Sequence, residues 1–206
     1  MAPRFGTSGL RGLVVELTED VVTAHVQAFA ASCDLAGALW IGEDLRPSSP
    51  SIAAMVEAAA LDAGLDVVRA GAVPTPALAL GAYAAHAGAI MITGSHIPAD
   101  RNGLKFYTSH GEISKADEMQ ITAALGQAVP VVPRGTVQQN EGVGAAYITR
   151  YVTAYAGTLT GRRIGLYAHS SVGRDLLMAI LQGCGAEVIE LGRSETFIPV
   201  DTEAVS

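Results

Sequence analysis

Residues 93–107 read TGSHIPADRNGLKFY, so Ser95 and His96 stand side by side directly after an apolar run, with Asn102-Gly103 and Lys105 close behind. A serine hydroxyl is a poor nucleophile at neutral pH and needs help from a neighbour. His96 is adjacent in the chain, so its ring need not face the serine. An acyl-transfer elbow would read G-x-S-x-G. Here T-G-S-H-I departs at the last glycine and no triad acid is evident, which makes a serine hydrolase the weakest of the enzymatic readings. Lys105 suits another chemistry. Phosphoryl transfer asks for positive charge around the transferring oxygens and for positioning, more than for a strong base.

The elements that must hold these residues follow from the local pattern. AGAIMIT (87–93) is a short buried strand, and in open α/β sheets ligands collect beyond the carboxyl ends of strands. Ser95 and His96 fall at such an end. Gly94 allows close backbone approach, Pro98 stiffens the loop, and Asn102-Gly103 predicts a tight turn that returns the chain as a strand carrying Lys105 near its start. Upstream, Thr18 ahead of two acids predicts a helix start. Strands are predicted at 38–44 and 65–71. The alanine-rich 47–63 and the proline-led 74–86 are predicted helices. Strands alternating with helices predict an α/β protein, with a mixed β-sheet sandwiched by helices.

The chain has 206 residues, a formal net charge of -7 and only 16% charged residues. It is long enough to bury a real core, too apolar for disorder, and too acidic for non-specific binding to nucleic acid or an anionic membrane. An acidic protein that binds an anion must gather cations locally. Arg4 and Arg11 lie in the glycine-rich N-terminus, and Arg101, Lys105 and Lys115 cluster in and after the serine stretch. Cys33 and Cys184 are read as buried thiols in a reducing compartment. With no signal peptide and no apolar run of membrane-spanning length, the expected location is cytoplasmic.

Part of the first half recurs. GLDVVRAG (64–71) matches GAEVIELG (185–192), and each follows a strand, a polar loop and an apolar helix. This predicts a duplicated β-α-β unit whose second copy is incomplete, with a domain junction in the Pro-, Gly- and Gln-rich 130–145 and a helix over 145–159. The division expected is 1–138 and 139–206, the second part being a fragment of a longer protein.

Three blocks, FGTSGLRG (5–12), IGEDLRPSS (41–49) and TGSHIPADRNGLK (93–105), together resemble the α-D-phosphohexomutase family in order and spacing, most nearly its bacterial phosphomannomutases and phosphoglucomutases. The family's serine loop has the form T-A-S-H-N-P followed by N-G-x-K. Gly94 replaces Ala, a change expected to matter little, and Ile97 replaces Asn, so position 97 receives no catalytic role. The resemblance implies an isomerase-class phosphotransferase that interconverts hexose 1-phosphate and 6-phosphate through a phosphoserine and a hexose 1,6-bisphosphate. It implies Mg²⁺ as cofactor and glucose 1,6-bisphosphate as activator. Ser95 would be the phosphoserine, its phosphoryl oxygen completing the metal site. His96 would line the site, Lys105 would stabilise developing charge and share in proton transfer, and Arg11 would approach the same centre with Ser8 beside it. A Gly-flanked arginine in a flexible loop suits a phosphate oxyanion. Arg46 is expected to anchor its loop by pairing with Asp44 or Glu43, and His169 and Arg174 receive no catalytic task. The family's D-G-D-G-D metal loop and sugar-selecting loop are not found, so this chain is expected to supply the nucleophile half of a site, its missing partners being the C-terminal domains of the same protein. The alternatives are a phosphoglucosamine mutase and a non-catalytic truncated module that binds anions or a partner chain.

Overall fold

The structure is a computed structural model and describes residues 3–6, 9–127 and 130–199. In chain order the elements are β1 (Arg4–Gly6), β2 (Gly9–Leu13), α1 (Glu19–Ser32), β3 (Ala38–Glu43), α2 (Ser49–Asp62), β4 (Asp66–Ala72), α3 (Thr75–Ala84), β5 (Gly88–Ile92), β6 (Arg101–Thr108), β7 (Gly111–Glu112), α4 (Lys115–Ala124), β8 (Val137–Gln139), α5 (Val143–Tyr155), β9 (Arg163–Tyr167), α6 (Arg174–Gly183) and β10 (Glu187–Leu191). The main sheet runs β1-β2-β6-β5-β3-β4-β8, with β7 added to β6. Its centre is parallel, β5 to β3 to β4, and β6, β2 and β1 continue it antiparallel. A mixed sheet sandwiched by helices is what the pattern predicts.

Strands buried on both faces read as continuous apolar runs, and their alternate residues feed two cores. Leu39, Ile41, Ile90 and Ile92 face α1, α2 and α4, where they meet Val26, Phe29, Ile52, Val56 and Ile121. Trp40, Val68, Ala89 and Met91 face the other way, against Ala77, Leu78 and Ala82 of α3 and Val143 of α5. Each fully buried side chain of this size contributes roughly 1.5–3 kcal/mol by leaving water. Gly81 belongs to this packing: a Cβ there would lie 2.6 Å from Trp40 Cζ3, so α3 reaches the sheet over the indole only because position 81 has no side chain.

Several local expectations are corrected by pairing between distant segments. The stretch around Arg11 is a strand: Gly9–Leu13 pairs with β6, and Arg11 lies opposite Gly103. Asn102-Gly103 makes no turn. Both residues lie inside β6, and the chain reverses earlier, where the amide of Arg101 donates to the Pro98 carbonyl at 3.1 Å. The junction at 130–145 contributes β8, which adds to β4 in parallel. Helix α4 is absent from the sequence reading because its exposed faces obscure an apolar pattern; Ile121 is its one buried residue. Cys33 is half-buried, while Cys184 is buried.

The repeat is real in structure. Strand, helix and parallel strand recur as β9-α6-β10, with Glu187 opposite Arg163 and Leu191 opposite Tyr167. Among the described residues no helix is long and apolar enough to cross a membrane.

Candidate active site

Ser95 sits on the loop that leaves the carboxyl end of β5. Its φ is 50°, a left-handed conformation uncommon for a residue with a Cβ, and its side chain is exposed. The amide of Ser95 donates to Thr93 Oγ1 at 3.0 Å, and that of Ile97 to the Gly94 carbonyl at 3.0 Å.

Two side chains after β3 hold the loop from beneath. Asp44 accepts from Thr93 Oγ1 at 2.9 Å and from the Gly94 amide at 3.1 Å with one oxygen, and from Ser49 Oγ at 2.6 Å with the other. Arg46 is only 1% exposed, and its guanidinium donates to four loop carbonyls: Pro98 at 2.8 Å, Arg101 at 3.0 Å, Ser95 at 3.2 Å and Ile97 at 2.6 Å. Its Nε faces Asp44 at 3.5 Å, so the expected pairing with Asp44 is present, but the larger role is towards the serine loop. Burial pulls the Arg46 pKa down, with Asp44 opposing. Gly94 matters more than expected. A Cβ there would lie 2.1 Å from Arg46 Nε, so an alanine would require the guanidinium to move.

Asn102, fully buried, joins the third block to the second. Its amide nitrogen donates to Ser48 Oγ at 2.8 Å and Ser49 Oγ at 3.0 Å, and its oxygen accepts from the Gly103 amide at 2.8 Å. The three sequence blocks are therefore one hydrogen-bonded unit.

Ser95, Arg11, Lys105, Thr75 and Thr93 line a single cleft of about 210 Å³. Two of its walls depend on glycine. A Cβ at Gly9 would meet the Leu104 carbonyl at 2.2 Å, and one at Gly103 would meet the Leu10 carbonyl at 2.7 Å. Lys105 Nζ is 3.2 Å from Glu112 Oε2 and lies over the Tyr107 ring, 5.5 Å from its centroid. Burial by itself would lower the Lys105 pKa, but hydrogen bonding and charge from Tyr107 and Glu112 outweigh it, and the pKa is raised. Lys105 is thus a protonated cation on the cleft wall.

His96 does face the serine: its Nδ1 is 3.2 Å from Ser95 Oγ, although the ring is not part of the cleft lining. Among the described residues no carboxylate hydrogen-bonds to His96, so no triad is formed. Ser8 lies outside the described residues. Arg101 and Lys115 do not line the cleft, and Lys115 pairs with Glu118 at 2.6 Å. Thr75, at the start of α3, was missed in sequence because nothing local marks it; only the closeness of α3 to the serine loop brings it in.

The second unit repeats the device in part. His169 has φ 49°, and Ser170 Oγ lies 3.2 Å from its Nδ1. Arg174 donates to the carbonyls of His169 at 3.1 Å and Ser194 at 2.6 Å, a structural task.

A serine hydroxyl that shares a cleft with two cations at a strand end, built from three interlocked blocks, is an arrangement with the charge to take an oxyanion. A family model described as phosphoglucomutase/phosphomannomutase, alpha/beta/alpha domain I, matches residues 2–129. The chain belongs to the phosphoglucomutase/phosphomannomutase family. It is 48% identical to a phosphomannomutase of Sinorhizobium fredii, covering 100% of this chain and 46% of that protein. It is 41% identical to a phosphomannomutase of Salmonella muenchen, covering 98% and 43%. A phosphoglucosamine mutase of Rhodococcus erythropolis is 32% identical over 93% of this chain and 46% of its own. The chain thus spans less than half the length of the curated relatives it matches. In fold, it superposes on a crystal structure of a phosphoglucomutase/phosphomannomutase family protein from Burkholderia thailandensis with TM-score 0.76 at 24% identity, covering 90% of this chain and 43% of that one.

The family resemblance implies Mg²⁺. Among the described residues no group of three or more His, Cys, Asp or Glu side chains is disposed to hold a metal ion. The described residues do not by themselves make that site, and no step below runs through a metal.

Proposed function

We propose that Ser95 carries the phosphoryl group of a phosphohexomutase, and that this chain supplies the nucleophile half of the active site. The reading rests on one observation: Ser95, Arg11 and Lys105 line the same cleft. In the transfer step an oxygen of the sugar phosphate's free hydroxyl bonds to phosphorus. The bond from phosphorus to Ser95 Oγ breaks, and its electron pair stays on Oγ. The hydroxyl's proton is matched by the one Oγ regains, and His96 Nδ1, 3.2 Å away, is placed to pass it. The reverse transfer from the hexose 1,6-bisphosphate, after it turns over in the cleft, leaves the phosphate on the other end of the sugar.

Arg11 and Lys105 serve as fixed cations for the oxygens of the moving phosphoryl group. Positioned charge in a partly water-excluded site is where such stabilisation is strongest. Held protonated beside Glu112, Lys105 acts as a cation before it acts in any proton transfer. The phosphomannomutases at 48% and 41% identity support mannose phosphate as the substrate ahead of glucosamine phosphate, whose relative is 32% identical. The division into 1–138 and 139–206, and the supply of metal and sugar-selecting groups by later domains of the same protein, belong to this proposal. The relatives' greater length supports the existence of such later domains.

The test is incubation of the chain, alone and extended to the length of its relatives, with glucose 1,6-bisphosphate, followed by intact-mass measurement and peptide mapping. One phosphate on Ser95 is expected in the extended protein. A folded extended protein that takes none at Ser95 overturns the reading, and labelling of Ser95 by a fluorophosphonate would redirect it to acyl chemistry.

A further inference from the structure

Arg46 is spent on the serine loop in an unusual way. All four hydrogen bonds of its guanidinium go to backbone carbonyls, those of Ser95, Ile97, Pro98 and Arg101. The Pro98 carbonyl also accepts from the Arg101 amide at 3.1 Å, so the loop's own turn and the guanidinium share that acceptor. A planar fork of donors is suited to bridging several carbonyls at once, and a lysine's single ammonium is not. The loop so gripped holds Ser95 at φ 50°, a left-handed conformation uncommon for a residue with a Cβ.

The outer face of the same guanidinium is covered from the far end of the chain. Arg46 Cζ lies 4.9 Å from the centroid of the Phe197 ring, a cation-π distance. Phe197 is itself held in place by the second unit. The amide of Ile198 donates to Ser170 Oγ at 3.0 Å, that of Ser194 donates to the His169 carbonyl at 3.0 Å, and Arg174 donates to the Ser194 carbonyl at 2.6 Å. A continuous path of packed and hydrogen-bonded groups therefore runs from the loop after β9, through Phe197 and Arg46, to Ser95.

We infer that Arg46 is the positioning residue that sets the serine loop for phosphoryl transfer, and that Phe197 tightens it, so that the second unit helps to fix the geometry of a nucleophile carried by the first. The consequence for transfer rests on the proposed role of Ser95; the consequence for the loop does not.

The experiment compares wild type with Arg46→Lys and Phe197→Ala. Amide hydrogen exchange, resolved by peptide, reports the loop. The rate of phosphate uptake from glucose 1,6-bisphosphate, as a function of its concentration, reports the chemistry in the extended protein. Arg46→Lys should speed exchange in peptides spanning 94–101 by about tenfold or more, and lower the maximal uptake rate by about ten- to a hundredfold with the half-saturating concentration little changed, since misplacing a reacting group costs rate rather than affinity. Phe197→Ala, at a half-buried position, should move both readouts in the same direction by a few fold and leave the melting transition of the first unit in place. Unchanged exchange at 94–101 in both variants overturns the inference, as does a loss expressed only as weaker half-saturation. If Arg46→Lys fails to fold, Phe197→Ala decides by the same criteria. Faster loop exchange in a protein whose wild type takes up no phosphate would sustain the positioning claim and sink the proposed function alone.

Discussion

Lys105 Nζ and Glu112 Oε2 face each other at 3.2 Å across the β6-β7 hairpin, and this pair keeps a cation on the wall of the serine cleft. Because the Lys105 pKa is raised in the folded protein, the stabilisation it gains is fully present below the ordinary lysine value of 10.5 and is lost as pH rises through the higher folded value. Phosphate uptake at Ser95 should hold up to strongly alkaline pH and fall as Lys105 deprotonates. Glu112→Gln should move that fall to lower pH. A pH profile of uptake for the two proteins checks it; superimposable alkaline limbs would show that Lys105 is not the group responsible.

Removing either cation should cost rate without costing the fold. Arg11→Ala and Lys105→Ala should each slow uptake by about a hundredfold, the usual effect of losing one preorganised donor to a developing oxyanion, while Ser95→Ala abolishes it. Circular dichroism melts run beside the kinetics should show little change for Ser95→Ala, whose side chain is exposed.

Asp44 should be a stability residue. Its carboxylate accepts from Thr93, Gly94, Ser49 and the Arg46 amide, and it is the only acid in the described ion pairs that faces the buried Arg46 guanidinium. Asp44→Ala leaves that guanidinium without its counter-charge, and a loss of about 3 kcal/mol is expected from urea unfolding. A loss below about 1 kcal/mol would mean that the loop carbonyls alone satisfy Arg46.

Gly81→Ala tests the second core. The added Cβ would approach Trp40 Cζ3 to 2.6 Å, and the indole is held between the sheet and α3. Overpacking of this kind costs typically 1–3 kcal/mol. Trp40 is the chain's single tryptophan, so its fluorescence should report the shift directly during equilibrium unfolding.

The strands of the sheet centre were legible because burial on both faces makes them uniform apolar runs. α1, α2 and α3 were legible because alanine-rich or capped segments have few other choices. The serine block was legible because its residue types are rarely assembled without a chemical reason. Asn102 was misread. By itself Asn-Gly signals a turn, but here its amide is consumed by Ser48 and Ser49, and the dipeptide is drawn into a strand between β2 and β5. Arg11 looked like part of a loop because two neighbouring glycines hide a strand whose partner lies far along the chain.

By itself, then, the sequence determined the α/β class, the repeat of strand, helix and strand, and the motif that nominates Ser95, Arg11 and Lys105. These depend on periodicity and on residue chemistry, which act over a few positions. Only the tertiary structure decided that Arg46 grips the serine loop, that Gly94 leaves space for it, that Thr75 lines the cleft and that Phe197 covers the guanidinium. Arg46 and the Ser95 carbonyl are separated by 49 residues. A hydrogen bond at that range exists only once the sheet has brought the ends of β3 and β5 side by side, and no local preference in the chain encodes it.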